Sequence, residues 1–472
     1  MQLDRMFPAG GQRGTTVDLT LEGKFPNWPV HVWSACPDIT WQCQAESGKL
    51  QAVIAEAAPL GPTWIRLYDA SGASRVQVFL VDAAPHSSET EPNDQIAAAT
   101  TVAALPNTLF GVLNKSADVD LFGVNLSADQ WLVATLDAHK WLNSPADANL
   151  QITDSRGFVV AENIDHVGLD PYLEFRAPSA GLYFVRVFAF PATPNSTVAF
   201  SGGADWIYRL RLSDQPQPLE SALDFANQVE LAAERQLVPP DQHTRNEMAL
   251  PISLPARVKG TIASPQTSDY LQFTARSGGH YQLRALARHF GSPLDPVITI
   301  SDANGKTLTQ QDDVAQNRDP LVSWKAPADG TYFIAIRDFH RKGGEGYVYL
   351  LNIEEQPPGF SASVSSDLIS AQVGQETELA VSIARVLEFP QAIEVSIEGL
   401  PDSVLCPPVV SQPGSDSAAK VTQKLTASEP FQGPVRVLAR AVDDPVDDPV
   451  DDTAKSQTAT APDNKPLWLS VR

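Results

Sequence analysis

Residues 149–165 read NLQITDSRGFVVAENID and lead to RAPSAGLYFVRVF at 176–188. Residues 297–313 read VITISDANGKTLTQQDD and lead to KAPADGTYFIAIRD at 325–338. Asp154 and Gly157 align with Asp302 and Gly305 at an offset of 148, and Ala177, Gly181 and Tyr183 with Ala326, Gly330 and Tyr332 at 149. Upstream, Gly111 and Asp120 keep the offset of 149 to Gly260 and Asp269. An offset held over about 75 residues marks an internal duplication, so two homologous domains lie in tandem. Each copy reads as β structure. The Asp-x-x-Gly turns, DSRG and DANG, close hairpins with glycine at positive φ. Tyr183, Phe184, Val185 and Val187 form one strand, and Tyr332, Phe333, Ile334 and Ile336 its counterpart, with one face in a sandwich core and the tyrosine hydroxyl at its rim.

The same grammar extends outward. TVDLTLEG, TWIRLYDASG and RVQVFLVD before the repeat, and ELAVSIARV, AIEVSIEGLP, VRVLARAV and LWLSVR after it, are short runs bounded by turn residues. Thirty-eight prolines oppose long helices. The expectation is an all-β chain of tandem β-sandwiches. Residues 1–84 are of immunoglobulin-like size, 85–214 and 248–356 hold the two copies, and 357–472 form a further immunoglobulin-like sandwich. LESALDFANQVELAAERQL at 219–237 has helical composition between proline-rich flanks and is read as a linker, 215–247, with one short helix. VDDPVDDPVDDTA at 442–454 cannot pair in a sheet and reads as a solvated acidic loop.

The 472 residues carry 34 Lys and Arg against 56 Asp and Glu, a net charge of −22. Such a surface repels nucleic-acid phosphates and anionic membranes, so no nucleic-acid partner is expected. No apolar run is long enough to span a bilayer. The opening MQLDRMFPAGGQRG lacks the apolar core of a secretory leader. Either the protein is cytoplasmic or its start is trimmed or mis-called; the later domains favour the second, with an extracellular, periplasmic or cell-surface location. Of three cysteines, Cys36 and Cys43 could bridge a hairpin or stand apart, and Cys406 reads as a small buried apolar residue.

HSSETEPNDQ at 86–95 is the chemically pointed stretch. Glu89, Glu91, Asn93 and Asp94 crowd hard oxygens beside a strand, where carboxylates repel one another. One reading is a solvated linker in which Asn93 or Asp94 caps a short helix over QIAAAT. The other is a divalent cation.

With ETEPND, the paired turns and Ala-Pro-x-x-Gly-x-Tyr together, residues 87–213 and 248–355 resemble the bacterial pre-peptidase C-terminal (PPC) domain. That is a jelly-roll-like β-sandwich appended to secreted peptidases and related to the collagen-binding domain of clostridial collagenases. The N-terminal unit resembles an IPT/TIG immunoglobulin-like domain, and FPAGGQRGTTV is similar to the openings of large exported planctomycete proteins. The resemblance implies a calcium site through Glu89, Glu91, Asn93 and Asp94, completed by Asp118 and Asp120 in DVDLF after Gly111. Clustered Asp, Glu and Asn suit an ion that takes six to eight oxygens. The second copy departs from this pattern. It reads PPDQHTRNEM without paired glutamates, and Thr267 stands where Asp118 would, although Asp269 survives. A calcium site is expected in the first copy only.

No catalytic constellation is legible. His31, His86, His139, His166, His243, His280, His289 and His340 stand singly, outside any zinc spacing, and there is no Gly-x-Ser-x-Gly elbow, Walker loop or Rossmann fingerprint. The chain is therefore read as non-catalytic: an extracellular or cell-surface module that binds a polymer or protein, such as a carbohydrate, or acts as a spacer. The alternative is the accessory portion of an exported peptidase or other hydrolase. A glycosidase-type carboxylate pair is a third reading that the 56 acidic residues leave unassignable. Trp131 and Trp141 are candidates for an exposed aromatic patch.

Overall fold

Lys420–Ala427, KVTQKLTA, buries every second residue, and Gly359–Val364 does the same at Phe360, Ala362 and Val364. This period-two alternation puts one face of each strand into a core. The computed structural model describes residues 1–164, 169–191, 200–215, 235–239, 242–287, 292–313, 319–442, 456–459, 461 and 465–472. Most of the expected linker with its short helix, the acidic segment after 442, His166 and His289 lie outside the described residues. Among the described residues the chain is almost entirely β, arranged as tandem sandwiches with four separate hydrophobic cores. No helix among them is long and apolar enough to cross a membrane.

The two central sandwiches share one topology. In the second sandwich, one sheet runs in the order His86–Ser88, Asn107–Val112, Ile207–Ser213, Trp131–Asp137, Tyr172–Arg176. The other runs Thr100–Val102, Asp120–Leu126, Gly181–Pro191, Ala146–Thr153, Val159–Asn163. In the third, the corresponding orders are Arg235–Leu237, Ala256–Thr261, Val348–Glu355, His280–Leu286, Leu321–Lys325 and Leu250–Pro251, Asp269–Ala275, Gly330–Asp338, Pro296–Ser301, Thr307–Gln311. Gly157 and Gly305 take φ of 87° and 78° at the hairpin turns, the conformation that favours glycine. Tyr183, Val185 and Val187 enter one core, and Tyr332, Ile334 and Ile336 the other. The tyrosine hydroxyls donate to Ser179 O at 3.0 Å and Ala328 O at 2.8 Å, at the rim.

The first sandwich packs Gln2–Phe7, Thr16–Lys24, Lys49–Ile54 and Ile39–Cys43 against a sheet built on Gln77–Asp82 and Gly61–Asp69. Cys36, Cys43 and Cys406 are free thiols; Cys406 is half-buried against the core of the fourth sandwich and donates to Gln423.

Two contacts tie the units together. Arg209, buried in the second sandwich, donates to Asp137 Oδ2 at 2.6 Å and to Asp82 Oδ1 of the first at 3.1 Å; His86 lies 3.0 Å from the other oxygen of Asp82. The first and fourth sandwiches meet through Arg66, which is fully buried, bonded to Ser74 O and paired with Asp367. Beside that pair Trp468 lies against Trp33 and Tyr68, with ring centroids 5.8 and 5.1 Å apart.

Candidate metal centre

The residues from Glu89 to Asp94 enter the second sandwich between its two sheets. Their backbone is fixed locally: Thr90 N–H donates to Thr100 Oγ1, and Asn93 O accepts from Leu121 N–H at 3.2 Å, beside Asp120. This brings Glu91, Asp118 and Asp120 together, with one oxygen of each within 4.8 Å of the others. Asp118 and Asp120 are fully buried, and Glu91 is exposed.

Each carboxylate is held by a named donor. Glu91 accepts from Asn93 N–H at 3.0 Å and from the Asn114 amide at 2.6 Å. Asp118 Oδ2 accepts from Asn114 N–H, and Oδ1 has the Lys115 ammonium beside it at 3.2 Å. Glu89 accepts from Val112 N–H at 2.8 Å. The Tyr208 hydroxyl stands between Asp120 Oδ2 at 2.5 Å and Glu89 Oε2 at 3.2 Å. Its single proton serves one carboxylate at a time.

Two features fit this site to a hard cation. Asn93 is fully buried, and neither its side-chain oxygen nor its nitrogen has a hydrogen-bond partner; a buried amide without partners is costly, and a cation would satisfy the oxygen. The carboxyls also resist ionisation together. Burial pushes Asp120 up to about 9, with the neighbouring Glu89 charge adding to the effect and Tyr208 opposing it. Burial likewise pushes Glu89 up to about 7, opposed by the Val112 N–H. A divalent ion would remove that penalty. Asp94 lies at the edge of the group: its carboxylate adjoins Asp118, and both pair with the Lys115 ammonium at 3.2 Å. The turn Ile96–Ala98 is capped by no side chain, so neither Asn93 nor Asp94 serves as a helix cap.

The third sandwich keeps part of this geometry. Tyr349 donates to Asp269 at 2.8 Å as Tyr208 does to Asp120, and Tyr270 N–H donates to His243 O where Leu121 meets Asn93. Thr267, in the place of Asp118, turns its hydroxyl to Ser264 O. No second acidic group of metal-binding spacing occurs among the described residues.

Tyr208, Asn114 and Lys115 were not legible as site residues. A signal for Tyr208 existed in the duplication: Gly111 faces Tyr208, and Gly260 faces Tyr349, in the same cross-strand register. Of the candidate aromatic patch, Trp131 begins a strand and is half-buried, whereas Trp141 stands on the short helix His139–Leu142.

Residues 267–338, in the third sandwich, match the bacterial pre-peptidase C-terminal domain and form such a domain. A probable subtilase-type serine protease of Deinococcus radiodurans is 30% identical over 199 residues, which is 40% of this chain; the chain spans 26% of that relative's length. Among solved structures, a periplasmic inhibitor of g-type lysozyme from Aeromonas hydrophila, PliG, covers 28% of this chain over its whole length at 15% identity and a TM-score of 0.19. The Bacteroides ovatus protein SGBP-B, solved with a mixed-linkage heptasaccharide, covers 75% of this chain with 74% of its own at 11% identity and a TM-score of 0.16. Likenesses this slight carry no argument.

Proposed function

We propose that this chain is a non-catalytic string of β-sandwiches, the accessory part of an exported protein, in which one calcium ion fixes the entry to the second sandwich. The ion would be held by Glu91, Asp118 and Asp120, with the Asn93 side-chain oxygen and Glu89 completing the oxygen set. Asp94, beside Asp118 and paired with Lys115, flanks this set. The observation that carries the reading is the buried, unpartnered Asn93 amide beside three carboxylates within 4.8 Å. Bound calcium supplies charge neutralisation. The protein's own residues do the rest: Tyr208, Asn114 and Val112 aim the carboxylates, and the segment 89–94 is tied to the strand that begins at Asp120.

The subtilase-type relative and the pre-peptidase C-terminal match support the accessory role and, with it, an extracellular setting. Hydrolysis of casein by the purified chain would overturn the non-catalytic part of the reading. The metal is tested by thermal unfolding with and without calcium. Ligand binding to the native state stabilises it, by about 2.7 kcal/mol at a hundredfold excess over Kd. Calcium should raise the wild-type melting temperature and leave Glu91→Ala and Asp120→Asn unmoved. Superimposable curves for all three would remove the ion.

A further inference from the structure

A second site lies away from the acidic entry. Between the first and second sandwiches opens a cleft of about 510 Å³, within the ~300–1,000 Å³ of small-ligand sites. Trp64 of the strand Gly61–Asp69 lines it from one unit and Trp141 from the other. Both indoles are half-buried, so each presents part of its ring to the cleft. Trp141 is held in place from behind: Asp170 accepts from the N–H groups of Ala138, His139 and Lys140 at 3.1, 2.8 and 2.9 Å, fixing the short helix that carries it.

The charge of the cleft runs against that of the chain. In a protein of net charge −22, it carries Arg75, Lys140 and Lys465, together with Arg5, which pairs with Glu22, against only Asp4 and Asp205. Arg75 is exposed and has no carboxylate partner among the described residues. Lys140 lies over the Trp141 ring, its ammonium 5.1 Å from the centroid, and likewise has no carboxylate partner among them. Gln77 and Asn143 add amides that both donate and accept. A second cleft of about 540 Å³ shares Lys140 and Trp141 as part of its wall. The two clefts abut at one aromatic residue, an arrangement suited to a chain-like ligand.

We propose that this cleft binds an acidic oligosaccharide, with sugar-ring faces against Trp64 and Trp141 and carboxylates at Arg75 and Lys140. Indole faces take the apolar faces of sugar rings. Hydroxyls satisfy Asp4 and Asp205 as donors and Gln77 and Asn143 as either partner. An acidic peptide would bring its carboxylates to the same cations without the ring faces, and is the rival occupant. The proposal does not rest on the calcium site.

The test titrates the full chain with tetraglucuronate by isothermal calorimetry, in calcium and again in EDTA. Binding in either buffer supports the cleft, and saturation should weaken at least tenfold in Trp141→Ala and several-fold in Arg75→Gln, with melting temperatures unchanged. If Trp141→Ala fails to fold, Trp141→Phe and Arg75→Gln carry the comparison. Cellotetraose should bind far more weakly. Absence of tetraglucuronate binding in both buffers overturns the proposal, as does binding that neither variant alters. Equal affinity for cellotetraose, or displacement by an oligo-aspartate peptide that binds tighter, would overturn the acidic-saccharide assignment.

Discussion

Gly111 and Tyr208 face each other across paired strands, and the Tyr208 ring occupies the space above the glycine: a β-carbon at 111 would lie 2.2 Å from the tyrosine oxygen and 2.6 Å from Glu89 Oε2. Only a residue without a side chain lets the hydroxyl reach Asp120 and Glu89. Gly111→Ala should therefore cost about 1–3 kcal/mol through overpacking and also weaken calcium binding at least tenfold. Gly260→Ala makes the same clash with Tyr349, at 2.2 Å, and should cost similar stability while leaving calcium affinity unchanged. Paired calorimetric titrations and melting curves separate the two effects. Equal loss of calcium affinity in both variants would contradict the assignment of the ion to the second sandwich.

Protons and calcium should compete at Asp120 and Glu89. Burial raises both above their ordinary values of 3.8 and 4.5, to about 9 and about 7. A carboxyl whose folded pKa is raised binds more protons in the native state, so its contribution to stability is complete below the unfolded pKa and is lost as pH rises through the folded one. In EDTA, the melting temperature contribution of this pair should fall between about pH 4 and pH 9. Calcium affinity should rise over the same window, because the ion needs the charged carboxylates. Measuring the calcium-induced melting shift at about pH 5 and about pH 8 checks the sign: a larger shift at the lower pH would refute it.

The duplication was readable because turns and alternation are local signals. Gly157 and Gly305 must take positive φ, and the Gly-x-Tyr strands alternate along a few consecutive residues. The acidic entry was readable for the same reason, as Glu89, Glu91, Asn93 and Asp94 lie within six consecutive residues. Asp94 reaches the same place, with its carboxylate beside Asp118 and paired with Lys115. Tyr208 sits 88 residues from Asp120 and reaches it through strand register, which no local pattern encodes. The cleft lined by Trp64 and Trp141 arises from two units packing side by side; Trp141 was a candidate for an exposed patch, but nothing in the sequence pairs it with Trp64.

Arg209 links the first two sandwiches through buried carboxylates on both sides. Burial alone would raise Asp82, but His86 and Arg209 more than offset it and hold the carboxyl below its ordinary value. Arg209→Met keeps the volume and removes the charge, leaving Asp82 and Asp137 buried with far weaker pairing. The expected cost is about 3–5 kcal/mol, the range for breaking a buried ion pair. Asp82→Asn, which keeps a hydrogen-bond acceptor for Arg209 and leaves Asp137 in place, should cost less. Urea unfolding of the two variants gives the order, and an equal or reversed order would show that Arg209 acts through packing alone.

Arg66 and Asp367 are 301 residues apart in the chain yet form one ion pair, with the guanidinium fully buried and 5.8 Å from the Trp468 ring centre. Desolvation draws the arginine below its ordinary pKa, and the Asp367 charge opposes that shift. The pair therefore closes the first sandwich onto the fourth, helped by Arg472, which donates to Ser71 O at 3.1 Å. Asp367→Ala strands a buried positive charge, and the least costly relief is for the two sandwiches to part and let water reach it. Small-angle scattering should then show a larger radius of gyration for Asp367→Ala than for wild type. The double variant Arg66→Met with Asp367→Leu removes both charges and should return the compact value. An unchanged radius in Asp367→Ala would mean that the contact among Trp468, Trp33 and Tyr68 holds the two sandwiches together without the ion pair.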